Sequence, residues 1–242
     1  MDASCCEFLK GIGQMIAVAD IFGIPTKTDE LYKKALTHPS YTQDLNLPVT
    51  ECYERLEFLG DAVLKLTVSD VLYNMYPKSS EGEMSKIRSI IVSDNTLAKI
   101  AKENGLQDLI ILSKHDEKQG ARKLDSICAC AFEAILGAYY LDGCYLQVRE
   151  YIKNTFTPLI EEVKVNFGRY NAKEILQEYT QKINKDRPEY RVIGEYGPEH
   201  KKEFEVEIIY RGEVLASDRG FSKKDAEQKA AYLACKKLGI IK

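Results

Sequence analysis

Glu54, Glu57 and Asp61 stand at positions i, i+3 and i+7 within the run ERLEFLGD. On a helix this spacing puts three carboxylates on one face. Such a row repels itself unless a cation lies among the acids. It is therefore either a metal site at a cleft or a solvated acidic face, and the spacing alone leaves both open. Arg55 does not relieve the repulsion, because it points elsewhere on the helix. Leu56, Leu59, Val63 and Leu66 form an apolar stripe beside the acids, so the helix is expected to pack into a core next to any cleft. Oxygen donors of this type suit Mg²⁺ or Mn²⁺ better than zinc. A second acid, Glu133, lies in the apolar and small-residue stretch 127–141. A charge in such surroundings is rarely fully buried unless paired or metal-bound; the alternative is a helix-edge glutamate with its carboxylate in water.

The elements that must position these acids read as helices up to about Val165. Periodicity and breaker residues predict helices over 30–36, broken at Thr37-His38-Pro39-Ser40, over 52–76 ending at Pro77, and over 82–104 closed by Gly105. Two more follow, over 125–141 closed by Asp142-Gly143 and over 145–164 with a kink or break at Pro158. Residues 113–123 read as an exposed charged loop. Asn166-Phe167-Gly168 reads as the start of a linker, after which the texture changes. A helix over 172–182 precedes strands over 190–195, 203–210 and 213–219, with a turn at Arg211-Gly212 and a final helix over 222–238. The expected architecture is a mainly α domain over 1–165, a linker over 166–169 and a small α+β (α-β-β-β-α) module over 170–242.

The chain has 242 residues and a formal net charge of -3, with 45% hydrophobic and 29% charged residues, as expected of a globular protein with a sizeable core. Charge is uneven: residues 169–242 carry 16 Lys+Arg against 13 Asp+Glu, and the rest 18 against 24. That split alone carries little weight. The start lacks a basic leader segment, and no run approaches the roughly 18 apolar residues that cross a bilayer. A cytoplasmic setting is expected, with the seven cysteines as thiols and no membrane partner. The cysteines and the three histidines do not have zinc-site spacing.

ERLEFLGDAVL, SICACAFEAILGAYYLDG, LTHPSY at 36–41 and EGEMSKIRSIIVSDNTLA at 81–98 together resemble the catalytic domain of bacterial ribonuclease III. The resemblance runs from about residue 20 to the end. It implies that Glu57, Asp61 and Glu133 bind a divalent metal, Mg²⁺ with Mn²⁺ as a substitute, and that Asp61 and Glu133 are central to catalysis. It implies that Glu54 lies nearer a subunit interface, and that Phe58 packs across a homodimer interface. The implied reaction is hydrolysis of double-stranded RNA to 5′-phosphate and 3′-hydroxyl ends, in processing of ribosomal, messenger and transfer RNA precursors. One position departs from the pattern. The family's Asp three residues before the second-motif Glu is Cys130 here. A thiol is a poor ligand for a hard cation, so weakened Mg²⁺ affinity and a shift toward Mn²⁺ are expected.

The C-terminal module, from LQEYTQ through GPEHKKEFEV to SKKDAEQKAA, resembles the double-stranded-RNA-binding domain. Glu174, Gln177 and Gln181 form a polar stripe at i, i+3 and i+7, opposite Ile175, Leu176 and Tyr179. Lys223 and Lys224 follow Ser222 at the start of the last helix. There, free backbone N–H groups make an anion site, although a solvated basic turn would look the same. With the loop 197–202, which holds His200, these regions match the two minor grooves and intervening phosphates of A-form RNA. Resemblance favours Gln177, His200, Lys223 and Lys224 as contacts. Two rival functions remain: a non-cleaving RNA-binding scaffold, which only Cys130 supports, and a phosphohydrolase of small molecules, which would leave the C-terminal module without a job.

Overall fold

The computed structural model describes residues 15–198 and 201–241. The chain divides into two compact units, with the division after Glu161.

The first unit is helical. Residues 15–22 belong to α1. The next three helices are α2 (Asp29–Leu36), α3 (Pro39–Asp44) and α4 (Glu54–Met75). They are followed by α5 (Glu81–Ile91), α6 (Asp94–Glu103) and the short α7 (Lys114–Lys118). Then come α8 (Asp125–Leu141) and α9 (Tyr145–Val165), which begins in this unit. The centre is α8. Eleven of its residues are buried, from Ile127 to Tyr139, so it is apolar nearly all round, as a core helix must be.

Two glycines decide how closely α4 approaches α8. A Cβ built on Gly60 would lie 1.7 Å from the Glu133 carbonyl oxygen, and one on Gly137 would lie 2.2 Å from that of Leu56. Any side chain at either position would push the backbones apart. The same glycines that close the core therefore set the carboxylate face of α4 beside the Cys130–Glu133 turn of α8. The C-terminal end of α8 is pinned by Asp142, which accepts hydrogen bonds from Lys27 N (2.7 Å), Thr28 Oγ1 (2.7 Å) and Tyr32 Oη (2.9 Å). Around α8, Phe22 stacks near Phe132 and Tyr139.

The second unit is the expected α+β module. It contains α10 (Phe167–Tyr170), α11 (Ala172–Asn184), strands β1 (Glu189–Tyr196), β2 (Glu203–Tyr210) and β3 (Glu213–Gly220), and α12 (Lys223–Lys237). The sheet is antiparallel in the order β1-β2-β3. Arg211 and Gly212 both have positive φ, 54° and 82°, the conformation of a tight two-residue hairpin turn. Ala230, Ala231 and Ala234 of α12 are fully buried with Ala172, Leu176 and Ile208. The small side chains let the helix lie close to the sheet.

Several elements differ from the sequence reading. The stretch 82–104 is two helices, because Ser93 starts a new one: its extended backbone (φ -74°, ψ 150°) ends α5, and α6 begins at Asp94. Pro158 lies inside α9 without ending it. The loop 113–123 contains α7 and a 3-10 turn (Ala121–Lys123), with Ala121 buried. Residues 167–169 of the expected linker belong to a short helix, Phe167–Tyr170. Leu66 is not part of the buried stripe of α4; it is 60% exposed, and Leu64 is buried in its place. The buried arc of α4 is Leu56, Gly60, Val63, Leu64, Thr67 and Val68, one position round from the expected stripe.

Candidate active site and nucleic-acid interface

Glu57 and Asp61 line up along α4 and meet Glu133 and Cys130 of α8 across the glycine contact. Glu57, Asp61 and Glu133 are each partly buried, whereas Glu54 at the first position of α4 is exposed. The acids at the start of α4 are favoured by the positive end of its dipole. Burial, with the nearby carboxylates of Asp61 and Glu57, pushes the Glu133 carboxyl up to about 8; the Lys65 ammonium opposes the rise. Burial also raises Glu57. The Cys130 thiol pulls it back by donating a hydrogen bond, and Glu54, Asp61 and Asp94 add to the rise. Lys65 Nζ lies 2.8 Å from Asp61 Oδ2, so this ammonium is the local counter-ion of the group.

Cys130 is buried enough, and close enough to Glu57, that its thiol is pushed up to about 12, with Glu133 and Asp94 adding to the effect. It is a neutral hydrogen-bonded thiol, not a thiolate nucleophile. Tyr53, just before α4, is raised chiefly by burial and then by Cys130, to which its hydroxyl donates. Tyr53 is in turn fixed by its backbone N–H to Thr37 O (2.9 Å) and by an edge-on contact with His38. The LTHPSY segment thus braces the start of α4.

Among the described residues, no three His, Cys, Asp or Glu side chains already converge into a closed metal-ligand set. Asp61 is held by Lys65 and Glu57 by Cys130. The donor chemistry nevertheless fits a hard divalent cation. Three carboxylates share one face of a helix pair, and the innermost is held protonated because its charge has too little compensation. A cation would remove that penalty.

Sequence reasoning singled out Glu57, Asp61 and Glu133; all three are partly buried near the contact of α4 and α8, without forming a metal-ligand group among the described residues. It missed Tyr53, Lys65 and Asp94. The run Ser93-Asp94-Asn95-Thr96 carried a signal for Asp94, since Ser followed by Asp is a helix-start pattern. Reading 82–104 as one helix concealed it.

Further round the start of α4, Phe58 is 81% exposed. It borders a concavity of about 650 Å³ lined by Leu31, Cys52, Glu54, Arg55, Leu59 and Leu141, among others. An aromatic knob and a socket occupy the same surface.

In the second unit, Glu174 and Gln177 of α11 are exposed, and Gln181 is partly so. Leu176 is fully buried and Ile175 packs on the core, as the helical stripe requires. Ser222 caps α12, its hydroxyl accepting from Asp225 N (3.1 Å). Lys223 and Lys224 are exposed. The Lys223 and Lys202 ammonium groups both lie over the Phe204 ring, at 5.5 and 5.7 Å, so the start of α12 and the end of the β1–β2 loop share one basic corner. Glu195, paired with Lys202, is held below the usual carboxylate range. His200 lies outside the described residues.

A helical domain with acids facing across a glycine-tightened helix pair, joined to an α-β-β-β-α module with a basic corner, defines an RNA-handling nuclease. The Ribonuclease-III-like family pattern matches residues 28–160, and the double-stranded RNA binding motif matches residues 172–238. Ribonuclease 3 of Syntrophomonas wolfei is 43% identical over 208 residues, covering 86% of this chain and 88% of that protein. Ribonuclease 3 of Bacillus velezensis is 38% identical over 236 residues, covering 96% and 93%. A solved nuclease domain of ribonuclease III from Campylobacter jejuni superposes with a TM-score of 0.53 at 33% identity, covering 59% of this chain and 97% of that one; it is described as flexible in the region involved in dimer formation. The chain belongs to the ribonuclease III family and is an endoribonuclease, a hydrolase acting on double-stranded RNA. Among the described residues, no helix is long and apolar enough to cross a membrane.

Proposed function

We propose that the enzyme cuts RNA duplexes with a divalent cation, Mg²⁺ or in its place Mn²⁺, held by Glu57, Asp61 and Glu133. The observation that carries this reading is the close approach of α4 and α8 at Gly60 and Gly137, which sets Glu57 and Asp61 beside Glu133; burial and the neighbouring carboxylates, which raise the Glu133 carboxyl, agree with it. A bound cation supplies Lewis acidity, neutralising phosphate charge and lowering the pKa of water. The chain's own residues do the rest. Asp61 and Glu133 would hold the cation at the contact of α4 and α8, each through a carboxylate oxygen. Glu57, fixed by the Cys130 thiol, keeps a third oxygen set on the same face. Phosphodiester hydrolysis then leaves 5′-phosphate and 3′-hydroxyl ends.

The second unit selects the duplex. Glu174, Gln177, Gln181 and Ser222 offer hydrogen bonds to minor-groove edges and 2′-hydroxyls. His200, Lys223 and Lys224 meet phosphates, so recognition follows A-form shape rather than sequence. Two copies pair through Phe58. Because knob and socket lie on one surface, a two-fold axis can seat each Phe58 in the other's concavity, with Glu54 at the rim. In the cell the substrates are ribosomal, messenger and transfer RNA precursors in the cytoplasm.

The test is incubation of a long end-labelled duplex with metal-stripped protein in Mg²⁺, Mn²⁺ or EDTA, followed by analysis of the ends. Cutting in either metal and none in EDTA, with ligatable 5′-phosphates, is expected. Binding without cutting in every metal condition would defeat the proposal and favour the scaffold reading that Cys130 supports.

A further inference from the structure

Arg88 of α5 is a partly buried cation held by a hydroxyl rather than a carboxylate. Its Nη1 donates to Ser69 Oγ of α4 (2.8 Å), and it has no ion-pair partner among the described residues. Asp70, the residue after Ser69, is taken by Arg149 instead (2.7 Å). A neutral amide would tie α5 to that hydroxyl equally well. A guanidinium drawn partly out of water without a carboxylate is unfavourable, and most of its N–H donors are left over. Those donors suit a phosphate, which can take two of them in parallel. Ser69 also stands in line with the candidate site. Asp61, Lys65 and Ser69 follow one another at i, i+4 and i+8 on α4. They are linked by Lys65 Nζ to Asp61 Oδ2 (2.8 Å) and by Ser69 Oγ to Lys65 O (2.6 Å). At about 1.5 Å per residue the stripe is about 12 Å long. The carboxylates at one end of it repel a polyanion. Lys65 is engaged by Asp61, whereas Arg88 at the other end carries an uncompensated charge.

We propose that Arg88 binds a phosphodiester of the RNA strand beside the one that is cut, with Ser69 orienting its guanidinium. The inference rests on the reading that cutting takes place at the contact of α4 and α8. The contact fixes the strand along α4, and so helps to set which bond reaches Asp61. A tether between α4 and α5 explains the hydrogen bond to Ser69 but not the charge.

Single-turnover cleavage of a labelled duplex by the full chain in Mg²⁺, repeated over a range of salt, separates this role from that of a tether. Arg88→Gln keeps a donor for Ser69 but removes the charge. It is expected to lower kcat/KM at least about tenfold at low salt and to reduce the log–log salt slope of kcat/KM by about one. Arg88→Lys keeps the charge and is expected to keep the parental slope. A parental slope in Arg88→Gln, or a slope in Arg88→Lys reduced as far as in Arg88→Gln, would overturn the assignment. If Arg88→Gln melts early, the slope of its folded fraction still decides, because a tether neutralises no phosphate. Glu133→Gln is run beside them. Its loss of cleavage with a parental slope in Arg88→Gln sinks Arg88 alone, whereas parental cleavage in Glu133→Gln sinks the site reading with it.

Discussion

Glu133 experiences two effects, burial in a helical core and proximity to two other carboxylates, and both favour its protonated form. Its unfolded value is about 4.5 and its folded value about 8. Between these limits the folded protein holds more protons than the unfolded chain, so stability falls as pH rises through that window. Urea unfolding in EDTA should therefore give a lower midpoint at pH 8 than at pH 5. Glu133→Gln should flatten that part of the profile, and an unchanged slope would mean that the carboxyl is not held as described. The acids of α4 were legible in the sequence because about two helical turns contain them all. Tyr53, Lys65 and Asp94 were not. Tyr53 matters through a thiol 77 residues further along the chain, Lys65 because Asp61 lacks a better cation, and Asp94 only through the packing of a helix whose start was hidden. Cys130 was visible as a departure, but its engagement with Glu57 and Tyr53 required the fold.

Gly60 and Gly137 let the two helices that make the site approach backbone to backbone. Gly60→Ala would drive a methyl group into the Glu133 carbonyl, 1.7 Å from the ideal Cβ position. Overpacking of this kind costs about 3 kcal/mol, and backbone against backbone leaves little room to relax. A lowered melting temperature, with cleavage lost in parallel as Glu133 is displaced, is the expected result. A melting curve identical to that of the parent would show that α4 and α8 do not approach so closely. The helix α8 was readable to the residue, Asp125–Leu141, because Asp142-Gly143 stops it sharply. The break at Ser93 escaped because apolar periodicity continues across it from Ile91 to Leu97. At Pro158 the helix does not break: it absorbs one missing N–H while Ile152, Phe156, Ile160 and Val163 remain buried. The exposure of Leu66 has the same lesson at smaller scale. A stripe counted from spacing is correct to about one position, and only the neighbouring helix decides which residue it buries.

At the scale of the molecule, cutting and recognition fall in separate compact units, and the proposed dimer involves the first alone. Phe58→Ala removes an 81% exposed ring, so the monomer fold should change by no more than about 0.5 kcal/mol. Light scattering coupled to gel filtration should nonetheless show the dimer mass replaced by monomer, and a persistent dimer would place the interface elsewhere. Replacing Lys223 and Lys224 by Gln should weaken duplex binding and flatten its dependence on salt, by about one in log–log slope for each phosphate no longer neutralised. An unchanged slope would remove the basic corner from the interface. The order of the two units and the α-β-β-β-α succession were legible because the period of apolar residues switches from helical to alternating near Glu189. The central claim is that acids facing each other across α4 and α8 hold the cation that cuts the duplex. Its most direct test is single-turnover cleavage of a saturating RNA duplex in Mg²⁺ by the parent and by Glu133→Gln, with duplex affinity measured on the same samples. Retained affinity with cleavage reduced by at least about a hundredfold is the predicted result; cleavage at the parental rate in Glu133→Gln would contradict it.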